Sequence, residues 1–88
     1  GTFTLDPASI AATSTGSETA AIPEARVGDT VICTPRAQLT AGLVMPQPPR
    51  VTADGTVTIY FYNTTAGAID LGSATWDYMV LRGTIGVP

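Results

Sequence analysis

The sequence contains no histidine, no lysine and only one cysteine, and these gaps exclude much of the chemistry that enzymes use. Without histidine the chain lacks the usual general base and the commonest metal ligand. Without lysine it can form neither a Schiff base nor a P-loop. Cys33 has no histidine to activate it and cannot form an internal disulfide, so its place in an apolar run predicts a buried free thiol. We therefore predict no catalytic, cofactor-binding or metal-binding residues and no enzymatic activity.

Charged side chains are also scarce. They make up 12% of the residues, whereas an average chain carries roughly 25%. The net charge of −3 does not attract phosphates, so we expect neither nucleic acid nor a membrane as a partner. No apolar run approaches the roughly 20 residues of a membrane span. Such a small, charge-poor domain favours an oligomer or a subunit of a larger assembly, and the alternative is a secreted module made soluble by threonine and serine.

Two pairs of carboxylates remain as candidates for catalysis, because two carboxylates can run a glycosidase. The pairs are Asp29 with Asp54 and Asp70 with Asp77. Asp29 and Asp54 lie beside glycines, where the turn itself favours aspartate, so we interpret them as turn residues. The NTT at residues 63–65 matches the glycosylation sequon. We set it aside unless the protein is secreted from a eukaryote, because asparagine at the end of a strand has its own turn preference.

The pattern of apolar residues predicts strands joined by turns, in an antiparallel all-β fold. Only residues 7–13 and 37–43 suggest helix, and both are too interrupted for more than a turn. Asp54-Gly55 predicts a hairpin with a type I′ turn. About seven strands in one small β-sandwich or partly closed barrel are therefore expected. The candidate strand segments are residues 3–5, 17–22, Thr30 to Thr34, Arg50 to Ala53, Thr56 to Tyr62 and Thr75 to Leu81, and the last four are clearer than the first two.

We expect one core and divide the chain around it. Residues 1–20 form an N-terminal strand and a link rich in alanine, serine and threonine, residues 21–83 form the sandwich, and residues 84–88 form a tail. The link is either an arm that packs on a neighbour or an ordinary loop of its own domain. Because the chain begins at Gly1, we expect an initiator methionine or a longer leader to have been removed. The predicted core comprises Val31, Cys33, Leu43, Val51, Val57, Ile59, Phe61, Ile69, Trp76, Tyr78 and Val80.

Two of the predicted strands have apolar or aromatic residues on both faces. With the period of two that strands follow, Val57, Ile59 and Phe61 share one face, and three hydroxyl-bearing residues share the other. In TWDYMVL, Met79 and Leu81 lie opposite the face of the tryptophan. Tyrosines on a second face can keep their rings flat and their hydroxyls in water, or they can form a subunit interface, in which tyrosine and methionine are enriched. We favour the interface, formed by Thr58, Tyr60, Tyr62, Met79 and Leu81.

Two stretches resemble a known family: ARVGDTVICTPRAQLTAGL and RVTADGTVTIYFYNTTAGAIDLGSATWDYMVLRG. Their order is a Val-Gly-Asp turn before an apolar strand, a proline, a Leu-x-x-Gly-Leu step, an Arg-Val hairpin, and a closing aromatic strand that ends in Leu-Arg. This is similar to a small β-domain of tailed-bacteriophage structural proteins, including capsid decoration proteins, head-fibre components and some tail-fibre segments. The resemblance covers roughly residues 17 to 83.

The resemblance implies a homotrimeric β-sandwich on the virion, without catalysis and without a cofactor. We expect a capsid decoration (cement) protein or the base of a head fibre, assembled in the host cytoplasm and located on the capsid exterior. Its partners would be copies of itself and the major capsid protein. The size of the chain suits a stand-alone decoration subunit better than a long fibre. The alternative is a receptor- or carbohydrate-binding knob of a tail fibre, in which Trp76 and the tyrosines stack on sugar rings.

Overall fold

The computed structural model describes residues 1–81, which form two antiparallel sheets and no helix. Seven strands follow one another along this part of the chain. The first sheet has the order β1-β7-β3, and the second has the order β2-β6-β4, with β5 also paired to β6. The strands are β1 (Thr2–Leu5), β2 (Thr15–Ala21), β3 (Thr30–Pro35), β4 (Leu43–Val44), β5 (Arg50–Ala53), β6 (Thr56–Asn63) and β7 (Ala74–Leu81).

The antiparallel β-sandwich predicted from the sequence is therefore confirmed. The two short helical candidates, residues 7–13 and 37–43, contain no helix, as their interrupted patterns indicated. Residues 7–13 form a loop in which Ile10 makes an isolated bridge with Ile69, and residues 37–42 form a loop that leads into β4 at Leu43. Nor do residues 1–81 contain any helix with the length and hydropathy that a membrane crossing would require.

The β5–β6 hairpin forms where it was predicted, but its turn is not type I′. That turn requires positive φ at both central residues, and here Gly55 has a φ of 78° whereas Asp54 does not have positive φ. The pairing register also shifts between Val51 and Ala53, so β5 carries a bulge. The Asp54 carboxylate accepts a hydrogen bond from Val27 N at 3.0 Å, which ties the hairpin to the turn before β3.

The core lies between the two sheets. Phe61 of β6 and Trp76 of β7 meet edge to face, with ring centroids 6.1 Å apart. Nine of the eleven predicted core residues are buried, while Tyr78 and Val80 are half-buried and pack against the cluster. The prediction missed five apolar side chains from the first part of the chain, namely Leu5, Ile10, Ala20, Ile22 and Ala25.

Those five residues show how the N-terminal link is placed. Strand β2 pairs with β6 over seven consecutive residues, from Thr15 opposite Tyr62 to Ala21 opposite Thr56. Within the described chain, part of the link therefore forms a strand in the sheet of its own domain. The expected boundary at residue 20 falls inside β2, and the expected tail at residues 84–88 lies outside the described residues.

Candidate functional site: the two outer faces

The outer face of the three-stranded sheet carries three exposed apolar side chains. Alternation along β7 turns Trp76 inward and Met79 and Leu81 outward. Ile32 of β3 lies directly opposite Met79, and Thr30 lies opposite Leu81. Ile32, Met79 and Leu81 are 50%, 57% and 42% exposed. We call these three residues the methionine face.

A bidentate ion pair lies at one end of the methionine face. Arg36 Nε donates to Asp77 Oδ2 and Arg36 Nη2 donates to Asp77 Oδ1, each at 2.9 Å. These hydrogen bonds hold the pKa of Asp77 below its ordinary value and raise the pKa of Arg36. Both side chains are about half exposed, so solvent weakens the pair. Because its charges are matched, the pair closes the apolar patch without adding net charge.

The outer face of the four-stranded sheet is more polar. Tyr60 and Tyr62 are half-buried, and their neighbours on β2 are Ser17 and Thr15. Thr58 is only 9% exposed, and its hydroxyl lies 2.9 Å from that of Thr52. Thr58 therefore offers little surface to a second molecule. We call Thr58, Tyr60 and Tyr62 the tyrosine face.

The five predicted interface residues do not share one surface. The prediction assumed that the two strands with apolar or aromatic residues on both faces are neighbours. These strands are β6 and β7, and they belong to different sheets. Because the sheets pack through their inner faces, the methionine face and the tyrosine face lie on opposite sides of the sandwich. The prediction also left out two exposed apolar side chains, those of Ile32 and Val44, which are 50% and 45% exposed. The outward position of Ile32 could have been predicted, because the side chain of Ile32 alternates with those of Val31 and Cys33, which were predicted to lie in the core.

Trp76 is unavailable to a ligand, since it is only 2% exposed. It packs against Phe3, with ring centroids 6.2 Å apart and the rings nearly parallel. A sugar platform that uses Trp76 is therefore wrong for this fold. Tyr78 packs against Phe3 as well and donates its hydroxyl hydrogen to Glu24 Oε1, which raises the pKa of Tyr78 and lowers that of Glu24.

The remaining candidates for chemistry have structural roles. Burial raises the pKa of the Cys33 thiol to about 11, so the unreactive thiol predominates near neutral pH. The Asp29 and Asp70 carboxylates accept hydrogen bonds from backbone N–H groups of their own turns. Residues 1–81 contain no cluster of three or more histidine, cysteine, aspartate or glutamate side chains that could hold a metal ion.

The asparagine of the sequon is fully buried. Asn63 Nδ2 donates to the carbonyl oxygens of Ile10, Ala11 and Gly67 at 2.8 to 3.2 Å. Its Oδ1 accepts from Thr65 N and Thr65 Oγ1. Asn63 is 0% exposed, so the folded chain cannot present it to a glycosylating enzyme. The side chain instead joins the loop before β2 to the loop after β6.

Comparison of this chain with protein-family models, with curated proteins and with solved structures gave no match.

Proposed function

We propose that this protein is a non-enzymatic structural subunit of a bacteriophage virion, either a capsid decoration protein or the base of a head fibre. It associates with copies of itself, as a trimer, and binds the major capsid protein on the capsid exterior. The virion role comes from the sequence resemblance, and the methionine face is the structural observation that supports it. Neither nucleic acid nor a membrane is a partner in this proposal.

The methionine face has the composition of a permanent subunit contact. Obligate interfaces are more apolar than the rest of a protein surface and are depleted in charge at their centre. Ile32, Met79 and Leu81 fit that description, with threonines beside them and the Arg36–Asp77 pair at one end. We assign self-association to this face.

The tyrosine face suits the second partner, the capsid. Tyrosine gives a large contact area at a low cost in conformational entropy, and its hydroxyl allows a polar, partly hydrated contact. Tyr60 and Tyr62 lie among the hydroxyls of β2, so this surface is wetter than the methionine face. Because the two faces lie on opposite sides of the sandwich, one subunit can hold both partners at once.

Light scattering at micromolar concentration tests the assignment of self-association. We expect a three-chain species for the wild type and its loss in Ile32→Thr/Met79→Thr. Both side chains point outward, so the fold should survive, and a wild-type far-UV circular dichroism spectrum is the check. The melting temperature itself should fall, because a chain that no longer associates loses the stabilisation that association gives. Val27→Thr makes the same kind of change on a side chain that is 64% exposed in a turn, and it should leave the mass unchanged. A wild type that is a single chain at this concentration, or a double variant of unchanged mass, contradicts the assignment.

Quantitative mass spectrometry of purified virions tests the location. Since the chain has no lysine, trypsin cleaves only after its four arginines and releases residues 27–36 and 37–50 as peptides for counting. A copy number close to that of the major capsid protein supports decoration. A few copies per virion would favour the tail-fibre alternative, and complete absence from virions would overturn the proposal.

A further inference from the structure

Strand β2 forms an open edge of the four-stranded sheet. It pairs with β6 on one side, and within residues 1–81 no strand pairs with its other side. The register with β6 runs over seven residues without a shift, so the edge carries no bulge. The side chains of Thr15, Ser17, Thr19 and Ala21 are all exposed. The loop before β2 contacts the even-numbered residues of the strand. Ala8 N donates to Glu18 Oε2, and Ile10 lies beside Gly16, so these contacts of the loop do not cover the outward backbone groups of β2.

The hydrogen bonds at the two ends of the ladder show which backbone groups point outward. Asn63 N donates to Ser14 O at 2.9 Å, and Ile22 N donates to Gly55 O at 3.0 Å. Both pairs continue the β2–β6 register, so the even-numbered residues of β2 bond to β6. Antiparallel pairing alternates the direction of these groups from one residue to the next. The N–H and C=O groups of Thr15, Ser17, Thr19 and Ala21 therefore point away from β6.

The other edges are protected in ways that β2 is not. Natural sheets block their edges with short strands, prolines, bulges or charged residues. Strand β1 has four residues and is followed by Asp6-Pro7, β3 ends at Pro35, and β4 has two residues. Strand β5 has a bulge, begins at Arg50 and follows Pro48-Pro49. The sequence of β2, TGSETAA, has no proline and no basic residue, and its one charge belongs to Glu18.

We propose that β2 pairs with β2 of a second copy of this chain, antiparallel and about a two-fold axis at Ser17. In that register Ser17 faces Ser17 of the second copy, and Thr15 faces Thr19. Glu18 faces Gly16, so the two carboxylates do not oppose each other, as they would with the axis at Glu18. The outward groups of residues 15, 17 and 19 then form about six hydrogen bonds between the copies.

The side chains of β2 explain why the occupant is a second copy. Glycine, serine, threonine and alanine fill six of its seven positions, so the side chains on the two faces of the paired strands include few large groups that could clash with their counterparts. Threonine and serine directly opposite each other are favourable cross-strand pairs. Isologous contacts of this kind are the commonest way in which identical chains associate.

This pairing goes beyond the proposed function and does not depend on it. It uses backbone groups at the sheet edge, and neither the methionine face nor the tyrosine face takes part. A contact of five residues is small, so it forms at high local concentration. If the chains also trimerise through the methionine face, the β2 pair links one trimer to the next.

Amide hydrogen exchange measured at several protein concentrations tests the proposal residue by residue. In the free chain the amides of Gly16, Glu18 and Ala20 are protected by β6, whereas those of Thr15, Ser17 and Thr19 exchange fast. As the concentration rises to near-millimolar, the second set should slow, by about tenfold once nine-tenths of the chains are paired. If these three amides stay fast at every concentration, or are slow at every concentration, the proposal is overturned.

Variants give an independent test in the Ile32→Thr/Met79→Thr background, where the methionine face is disabled. At high concentration this background should show a two-chain mass. Ser17→Pro removes an outward N–H without breaking the β2–β6 ladder, and it should restore a single-chain mass. Thr4→Pro is the matched control, because the Gly1–Tyr78 hydrogen bonds show that Thr4 N also points away from its sheet.

The two proline variants distinguish edge pairing from association through a face. Loss of the two-chain species in Ser17→Pro but not in Thr4→Pro supports the proposal, provided that both variants keep the melting curve that the background has at low concentration, where all three are single chains. Thr19→Lys, which adds a charge at the same edge, should act like Ser17→Pro even if the proline unfolds the chain. Equal behaviour of Thr19→Lys and the background overturns the β2 pair and leaves the methionine face untouched.

Discussion

Replacing Asn63 by alanine should destabilise the protein more than any change on the outer faces. The amide makes five hydrogen bonds, but not every partner depends on it. Ile10 O also accepts from Ile69 N, and Gly67 O lies 2.8 Å from Thr65 Oγ1, whose single hydrogen can turn to it once Asn63 Oδ1 is gone. Ala11 O and Thr65 N, in contrast, have Asn63 as their partner within the described chain. The substitution therefore leaves two backbone groups without a hydrogen bond.

Each buried group that loses its partner costs about 1 to 3 kcal/mol. Ala11 O and Thr65 N are only partly buried, so the two groups together predict a loss of about 2 to 3 kcal/mol in the free energy of unfolding. A small domain has about 5 to 15 kcal/mol in total, so the variant should lose a substantial part of its stability. Thr64→Ala is the control from the next position. It removes the hydroxyl bond to Gly42 O, but that oxygen keeps Thr64 N as a donor, so the loss should stay below about 1 kcal/mol.

Urea unfolding, followed by the fluorescence of Trp76, measures both variants. Trp76 is the only tryptophan and is buried, so its emission reports the loss of the core. A second variant, Asn63→Asp, tests the direction in which stability changes with pH. Its new carboxyl oxygen would face carbonyl oxygens, which raises the pKa of residue 63 in the folded state, so its stability should fall as the pH rises from acidic to neutral. A loss below about 1 kcal/mol for Asn63→Ala would refute the account of Asn63 as a structural link.

Three further substitutions have expected effects. Gly42→Ala should destabilise by about 2 to 3 kcal/mol in urea unfolding, because Gly42 has a φ of 89° and its added Cβ would lie 2.2 Å from Thr65 Cγ2; wild-type stability would contradict this. Thr13→Asn should raise the melting temperature and add about 0.5 to 1 kcal/mol, since Thr13 has a φ of 48°, which asparagine tolerates better than a β-branched residue. The Arg36 hydrogen bonds lower the pKa of Asp77 in the folded state, so their contribution is present above the ordinary pKa of aspartate and is lost as the pH falls through the folded value. Asp77→Asn should therefore be less stable than the wild type at neutral pH and approach it in acid, and a difference that does not change with pH would argue against the pair.

Much of the second half of the fold could be predicted, because its signals are local. Alternating Val57, Ile59 and Phe61 identified the inner face of β6, and Asp54-Gly55 located the hairpin. The type of that turn could not be read from the dipeptide. The bulge between Val51 and Ala53 changes the path of β5, and only Gly55 takes positive φ.

The core residues of the first half were missed for a different reason. Ala20 and Ala25 carry little hydrophobic signal, and they are buried because β6 and the β5–β6 hairpin lie beside them. Ile10 is likewise covered through its bridge to Ile69, which is distant in sequence. These contacts join residues 30 to 59 positions apart in the chain, and no pattern within one segment predicts them.

The second feature that could not be predicted from the sequence is which strands pair, and this pairing changes the candidate site. Alternation states which side chains of one strand share a face, but it does not state which strand lies beside it. Residues 64–73 carry the chain from β6 in one sheet to β7 in the other. The tyrosines and Met79 consequently separate onto opposite sides, and a single predicted interface becomes two surfaces.

The separation of core and surface within each strand makes the proposed contacts testable. In β7, Trp76 supports the fold from the inner side, while Met79 is 57% exposed on the outer side. Within residues 1–81 every buried side-chain nitrogen and oxygen has a hydrogen-bond partner, so the core is complete in one copy. In the proposal, association therefore adds to a fold whose buried polar side chains are already hydrogen-bonded within one copy. A change at Met79 should alter the mass of the assembly and leave the far-UV circular dichroism spectrum of the folded chain in place. A change at Trp76 should alter both, because the outer face keeps its shape only while the inner face is packed.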